Sequence, residues 1–293
     1  MFPRIKKLHG AHARIQKPLH FATEHIKLYN MKNKTINGLA VRYTDNGENP
    51  LVFVHAFPLS SEMWENQISA FNSDYNVMTY DVRGLGKSTQ SDNQFMMETY
   101  ADDLIDIISD LKLEKVNAVG LSMGGYIIQK ALLKNPDLFK TVILADTRLD
   151  RDSNEALSAR AASIQKIKSG QRKDFLDSFT GKLVSKDNFT DKDLMFKINS
   201  LIVGNSDDGI CGALLALATR PENTGAFKDF KLPALIIVGE HDSLTPVEAA
   251  LKIKDEFINS EIHVIKDSGH LSNLENPAEF NSTLKGFLEK HNK

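Results

Sequence analysis

Six short apolar runs rich in β-branched residues punctuate the chain: LVFVH at 51–55, NVMTYD at 76–81, VNAVGL at 116–121, TVILAD at 141–146, ALIIVGE at 234–240 and EIHVIK at 261–266. Runs of this length and composition read as strands buried in a parallel sheet. The intervals between several of them hold helical patterns, the clearest placing Tyr100, Leu104, Ile107, Ile108 and Leu111 on one face. Two later helices are expected at matching capping boxes, Thr245-Pro246-Val247-Glu248 and Asn276-Pro277-Ala278-Glu279, each with proline at the first helical position. Ahead of the first run, MKNKTINGLAVRYTDNG from Met31 reads as strand, Asn-Gly turn and strand. Strand and helix alternate, so the expected fold is α/β, a mostly parallel sheet covered on both faces.

One interval breaks the alternation. Between positions 146 and 233 the chain shows helical patterns, ALSARAASIQKI, DLMFKINSLIV and GALLALAT, and no strand. An insertion of this kind is expected to form a helical cap over the carboxyl ends of the strands, where open α/β sheets bind ligands. The expected organisation is an N-terminal extension at 1–30, a core domain at 31–147 and 230–293, and the cap at 148–229. Within the cap, Met195, Phe196, Ile198, Leu201 and Ile202 are expected to form core between helices.

Composition excludes several classes. With 36 basic against 38 acidic side chains among 293 residues, the chain has no global field to attract nucleic acid or an acidic membrane surface. No apolar segment approaches the roughly 20 residues needed to span a bilayer. The lone Cys211 cannot form an internal disulfide, which makes a cytoplasmic location the expectation. Residues 1–30 are basic and carry four histidines, but no carboxylate or cysteine completes a metal set there and no apolar block forms a secretory signal. That stretch is expected to be a solvated extension, or the product of an upstream start ahead of Met31.

The chemistry-bearing motif is GLSMG at 120–124, which fits GxSxG and lies after one strand and before a helix beginning near Met123. At so sharp a turn the side chains two residues either side of the serine would collide, and glycines at 120 and 124 relieve that collision. The turn lifts the Ser122 hydroxyl above the sheet and leaves the Met123 amide at a helix N-terminus, suited to a developing oxyanion. Serine is a weak nucleophile at neutral pH and needs a base and a group to orient that base. Asp242 follows the strand run at 234–240 and His270 ends DSGH after the run at 261–266, in the chain order this elbow requires. Asp146, at the end of TVILAD, is the alternative acid. A second oxyanion donor is expected from the loop after LVFV, where the Phe57 amide would face that of Met123.

These segments together resemble the α/β-hydrolase-fold serine hydrolases, in particular the enol-lactonase and small-carboxylesterase branch. The matching stretches are HAFP at 55–58, DVRGLGKS at 81–88, GLSMGG at 120–125, LADTR at 144–148, VGEHDSLTP at 238–246 and SGHLSNLENPAEF at 268–280. The resemblance implies Ser122 as nucleophile, His270 as base, Asp242 as acid and the Phe57 and Met123 amides as oxyanion hole, with no metal or organic cofactor. Ala56 stands where many relatives have glycine. A serine at the elbow also argues against the aspartate-nucleophile chemistry of haloalkane dehalogenases and epoxide hydrolases.

The implied substrate is a small ester or lactone. A ligand receptor of the same fold, or a carbon–carbon bond hydrolase or perhydrolase on the same triad, remains an alternative. Arg148, Arg151, Arg160 and Arg220 lie in or beside the cap, where one of them could hold a substrate carboxylate. GLGKST at 84–89 imitates the tail of a phosphate loop, but the position of that loop's first glycine is Asp81, so no nucleotide site is expected.

Overall fold

The computed structural model describes residues 31–45, 48–89 and 95–292. The proposed extension at 1–30 lies outside them. An eight-stranded sheet runs in the order β1-β2-β4-β3-β5-β6-β7-β8. The hairpin of β1 (Lys32–Ile36) and β2 (Leu39–Tyr43) is antiparallel, and β2 pairs antiparallel with β4 (Asn76–Tyr80). Asn37 and Gly38 both have positive φ, 50° and 81°, the conformation an Asn-Gly hairpin turn demands.

All remaining pairings are parallel, joining β3 (Pro50–Val54), β4, β5 (Val116–Leu121), β6 (Phe139–Ala145), β7 (Ala234–Gly239) and β8 (Ser260–Ile265). Each of the six apolar runs is therefore a strand. β5 and β7 are buried at every position, whereas β8 is only partly covered. β8 corrects the expectation of uniform burial. It is the sheet's edge, with a single strand neighbour, and its sequence alternates instead of staying apolar.

The period-two geometry of the strands sorts the core into two layers. Val52, Val54, Met78, Ala118 and Val142 face one cluster with α2 (Met97–Asp110), α3 (Met123–Lys134) and α8 (Val247–Glu256). Leu51, Phe53, Val77, Val119 and Ile143 face the other with α1 (Glu65–Phe71) and α10 (Pro277–His291), which follows the single turn α9 (Ser272–Glu275). Trp64, fully buried, sits between Phe53 and Phe280 there.

Between β6 and β7 come four helices and, among the described residues, no strand: α4 (Asn154–Lys168), α5 (Arg172–Thr180), α6 (Lys192–Val203) and α7 (Asp207–Thr219). Ile198, Leu201 and Ile202 of α6 are buried as expected, but Phe196 is 77% exposed. A helix of this kind covers its neighbours with one stripe, and Phe196 falls outside it. No single described helix is long and apolar enough to cross a membrane, and α6 and α7, taken together, are bent by 97°.

Of the two expected capping boxes, the second forms in part, the Asn276 backbone amide being taken by the Ser272 carbonyl at 3.1 Å. Asn276 accepts the Glu279 amide while its own side-chain amide donates to the Glu279 carboxylate at 2.9 Å. Thr245 does not cap α8, whose N-cap is Pro246. Its hydroxyl is committed elsewhere, as the active site makes plain.

Candidate active site

Ser122 occupies the one-residue joint between β5 and α3, with φ 53° and ψ −111°. This backbone is strained, and such strain persists only where surrounding contacts over-determine it. Here the Ser122 amide donates to the Ala145 carbonyl at 2.9 Å, and its own carbonyl accepts the Thr147 hydroxyl at 3.0 Å. The flanking glycines are required by close approach. A Cβ on Gly120 would lie 2.4 Å from the Gly124 carbonyl oxygen, and one on Gly124 would lie 2.1 Å from that of Val54. The second contact presses the first turn of α3 onto the end of β3, next to the loop that carries Phe57.

The loops after β7 and β8 bring two more side chains to the same sheet edge. His270 Nε2 lies 2.8 Å from Ser122 Oγ, and His270 Nδ1 lies 2.8 Å from Asp242 Oδ2. Both partners are buried, with His270 3% and Asp242 4% exposed. The other Asp242 oxygen accepts the Leu244 and Thr245 amides at 2.8 and 2.9 Å, and the Thr245 hydroxyl donates to Oδ2 at 2.5 Å. Burial opposes ionisation of Asp242, but the His270 charge, the hydrogen bond to His270 and those from Thr245 outweigh it and hold the carboxyl below its ordinary value. An acceptor-only Asp242 fixes the proton of a neutral His270 on Nδ1, leaving Nε2 free to accept from Ser122.

Asp146, the alternative acid, is fully buried and spends its two oxygens on Gly239 and Ser272, with His270 bonded instead to Asp242. Its Oδ1 accepts the Gly239 amide at 2.8 Å, and its Oδ2 pairs with the Ser272 hydroxyl. Burial first, and the nearby Asp242 charge second, push its carboxyl well above the aspartate range. It therefore braces the ends of β6 and β7 against the segment that follows His270.

Phe57 lines a cavity of about 90 Å³ together with Ser122, Tyr126, Arg160, Phe179, Leu217, Leu244, Thr245 and His270. Met123 is the first residue of α3, so its amide lacks an intrahelical acceptor. The loop bearing Phe57 is anchored by His55. Its Nε2 accepts the Val82 amide at 2.8 Å and Nδ1 donates to the Ala56 carbonyl at 2.9 Å, a pattern only the neutral ring can make. Burial lowers its proton affinity accordingly, against the opposing pull of Asp81 and the Ala56 carbonyl. Asp81, the residue that disqualified the phosphate loop, accepts the Ser61 and Lys87 amides at 2.7 and 2.8 Å.

Of the four arginines singled out by sequence, only Arg160 lines the cavity. Arg148 donates to the Leu244 carbonyl, and the Arg151 amide to Glu222. Arg220 is buried, stacks over the Tyr126 ring at 4.2 Å and pairs with Asp152 at 3.1 Å. Arg160 pairs with the same Asp152 carboxylate. A larger groove of about 300 Å³ lies by the hairpin around Arg42, Asp81 and Lys87, but its lining has no histidine to activate Ser61, and Asp81 is taken up by the Ser61 and Lys87 amides. One exposed trio, Glu240, His241 and Asp267, brings three ligand-type side chains together at the surface, away from the cavity lining.

Sequence reading missed Thr245 as a partner of Asp242, Asp152 as the shared acid of two arginines, and the contacts of Asn205 described below. The only local signal was at Thr245, where a hydroxyl three residues after an aspartate is spaced to reach its carboxylate.

The family model for the alpha/beta hydrolase fold matches residues 49–277. A 3-oxoadipate enol-lactonase from Acinetobacter baylyi is 26% identical, covering 90% of this chain and 97% of its own. A non-heme chloroperoxidase from Kitasatospora aureofaciens is 27% identical over 87% and 98%. Among solved structures, a thermophilic esterase from Thermogutta terrifontis with malate bound superposes with a TM-score of 0.82 at 29% identity, covering 89% of this chain and 99% of that one.

Proposed function

The chain belongs to the alpha/beta hydrolase fold family, and from that premise we propose that it is a serine hydrolase cleaving a carboxylic ester or lactone through an acyl-enzyme on Ser122. The observation that carries the reading is the unbroken relay of 2.8 Å contacts from Ser122 through His270 to an ionised Asp242. His270 Nε2 takes the Ser122 proton as Oγ attacks the carbonyl carbon, and Asp242 stabilises the imidazolium so formed. The amides of Phe57 and Met123 receive the negative charge of the tetrahedral intermediate. Collapse breaks the carbon–oxygen bond, and His270 returns its proton to the departing alkoxide, which stays tethered when the substrate is a lactone. Water, deprotonated by His270, then releases the acid and restores the Ser122 hydroxyl. The residues at 148–229 act in this reading as a cap whose α4, α5 and α7 wall the cavity.

The substrate is proposed to be small and to carry a carboxylate. Its acyl group meets Phe57, Phe179, Leu217 and Leu244 in a cavity well under the ~300–1,000 Å³ of ordinary ligand sites. Arg160 and Arg220 both pair with Asp152, Glu222 lies within electrostatic reach of Arg220, and Arg160 is the arginine that faces the cavity. The enol-lactonase and esterase relatives are consistent with an ester or lactone bond. A charge-assisted bond of about 1.5–3 kcal/mol corresponds to roughly 10- to 150-fold in kcat/KM. Arg160→Gln should lose that much on a p-nitrophenyl hemiglutarate and stay within about twofold on the neutral valerate ester. Equal losses on both esters would refute the carboxylate assignment.

The chloroperoxidase relative favours a second reading on the same residues, in which hydrogen peroxide instead of water accepts the acyl group and leaves as a peracid. Repeated turnover of a p-nitrophenyl ester, with and without peroxide, tests both. A burst of one equivalent and no turnover would instead identify a ligand receptor.

A further inference from the structure

Asn205 lies in the short link between α6 and α7 and is 3% exposed. Its side-chain amide is used at both ends by segments far away in sequence. Nδ2 donates to the Pro58 carbonyl at 2.5 Å, and Oδ1 accepts the Gly86 amide at 2.6 Å. Pro58 is bonded to Phe57. Gly86 packs over Asp81, where a Cβ would lie 2.3 Å from the carboxylate, and Asp81 in turn holds the Ser61 amide at the far side of the same loop. One buried side chain from the inserted helices thus closes the span between the 55–61 loop and the 81–88 loop. The join is tight, because a Cβ on Gly209, in the first turn of α7, would lie 1.8 Å from the Gly84 carbonyl oxygen. A second contact points the same way: the Phe179 ring of α5 meets the Phe57 ring edge-on at 5.5 Å.

We propose that Asn205 is a positioning residue that sets the aim of the Phe57 amide, so that the seating of the α4–α7 helices over the cavity controls the oxyanion hole. The inference rests on the reading of Phe57 as an oxyanion donor. The two ends of the amide do different work. The Oδ1 end steadies Gly86, and the Nδ2 end restrains the Pro58–Leu59 peptide, two peptides on from the one that carries the Phe57 amide. Asn205→Asp keeps an acceptor for Gly86 and loses the donor to Pro58, whereas Asn205→Ala loses both.

Two measurements on the full chain test it. Hydrogen-exchange mass spectrometry should show faster exchange in peptides covering 55–61 for both variants, and in peptides covering 82–88 for Asn205→Ala only, with β5 peptides unchanged. Unchanged exchange at 55–61 in both variants overturns the proposal, whether or not the protein turns over an ester. Kinetically, a misaimed donor should lower kcat by ~10- to 100-fold with KM near wild type, against ~10²–10³ for outright loss of an oxyanion donor. A trifluoromethyl ketone, which binds as an oxyanion, should weaken in parallel, while the matching secondary alcohol should not. Faster exchange at 55–61 with unaltered kcat and ketone affinity would keep Asn205 as the loop's restraint and remove Phe57 from the oxyanion hole. Equal weakening of ketone and alcohol would reduce Asn205 to a packing role and overturn the proposal.

Discussion

Asp242→Asn should abolish most turnover while leaving the fold intact, and the hydrogen bonds at the site say why. The Leu244 and Thr245 amides both donate to Asp242 Oδ1, so an asparagine must keep its carbonyl oxygen there. Its NH2 then occupies the place of Oδ2, facing His270 Nδ1 and the Thr245 hydroxyl. A donor against Nδ1 forces the ring into the Nε2–H tautomer, which presents a proton to Ser122 instead of a lone pair. Neutralising the aspartate of such a triad costs about 10⁴ in turnover, or roughly 5.4 kcal/mol at 1.36 kcal/mol per tenfold. Asp146→Asn is the control. Burial holds the Asp146 carboxyl well above its ordinary value, and an asparagine there can accept from Gly239 and donate to the Ser272 hydroxyl. Its turnover should stay within about threefold of wild type, since no contact with the reacting groups changes. Both variants are to be assayed on one p-nitrophenyl ester. A crippled Asp146→Asn beside a near-normal Asp242→Asn would refute the reasoning and move the acid to the end of β6.

The same two carboxyls should respond to pH with opposite sign. Asp242, held below its ordinary value, contributes stability that is present above the aspartate range near pH 4 and lost as pH falls through its folded value, so Asp242→Asn should flatten the loss of urea midpoint between pH 5 and 3. Asp146, held above its ordinary value, contributes fully below that range and progressively less as pH rises through its folded value. The Tm of Asp146→Asn relative to wild type should therefore climb from pH 5 to 9, and a falling difference would contradict the upward shift of the Asp146 carboxyl. Gly124→Ala should cost at least ~3 kcal/mol in urea unfolding, because its Cβ would sit 2.1 Å from the Val54 carbonyl oxygen. Gly286→Ala, in α10 with nothing within 4 Å, should stabilise by about 0.5–1 kcal/mol, and a loss there would show that helix to be strained.

Much of the fold was legible because its signals are local. Glycine, proline and short apolar runs mark the joints of an α/β chain within a few residues of where they act, as at Asn37-Gly38 and around Ser122. The three relay residues were legible for the same reason, each following a strand run. Features set by distant packing were not. α5 carries only Phe175, Leu176 and Phe179 as an apolar signature, too little to mark a helix from sequence, and it is fixed by contacts such as Phe57 with Phe179. Thr245 looked like a helix cap and serves Asp242 because the chain turns before α8 begins. Asn205 resembles any loop asparagine until its two partners, Pro58 and Gly86, are brought to it by the sheet.

Covalent capture tests the central claim most directly. Wild-type protein incubated with a fluorophosphonate should gain one equivalent of mass, mapping to the peptide that contains Ser122, and Ser122→Ala should gain none while unfolding at a similar temperature. Labelling of Ser122→Ala at the wild-type rate, or a wild-type label mapping to another residue, would contradict Ser122 as the nucleophile.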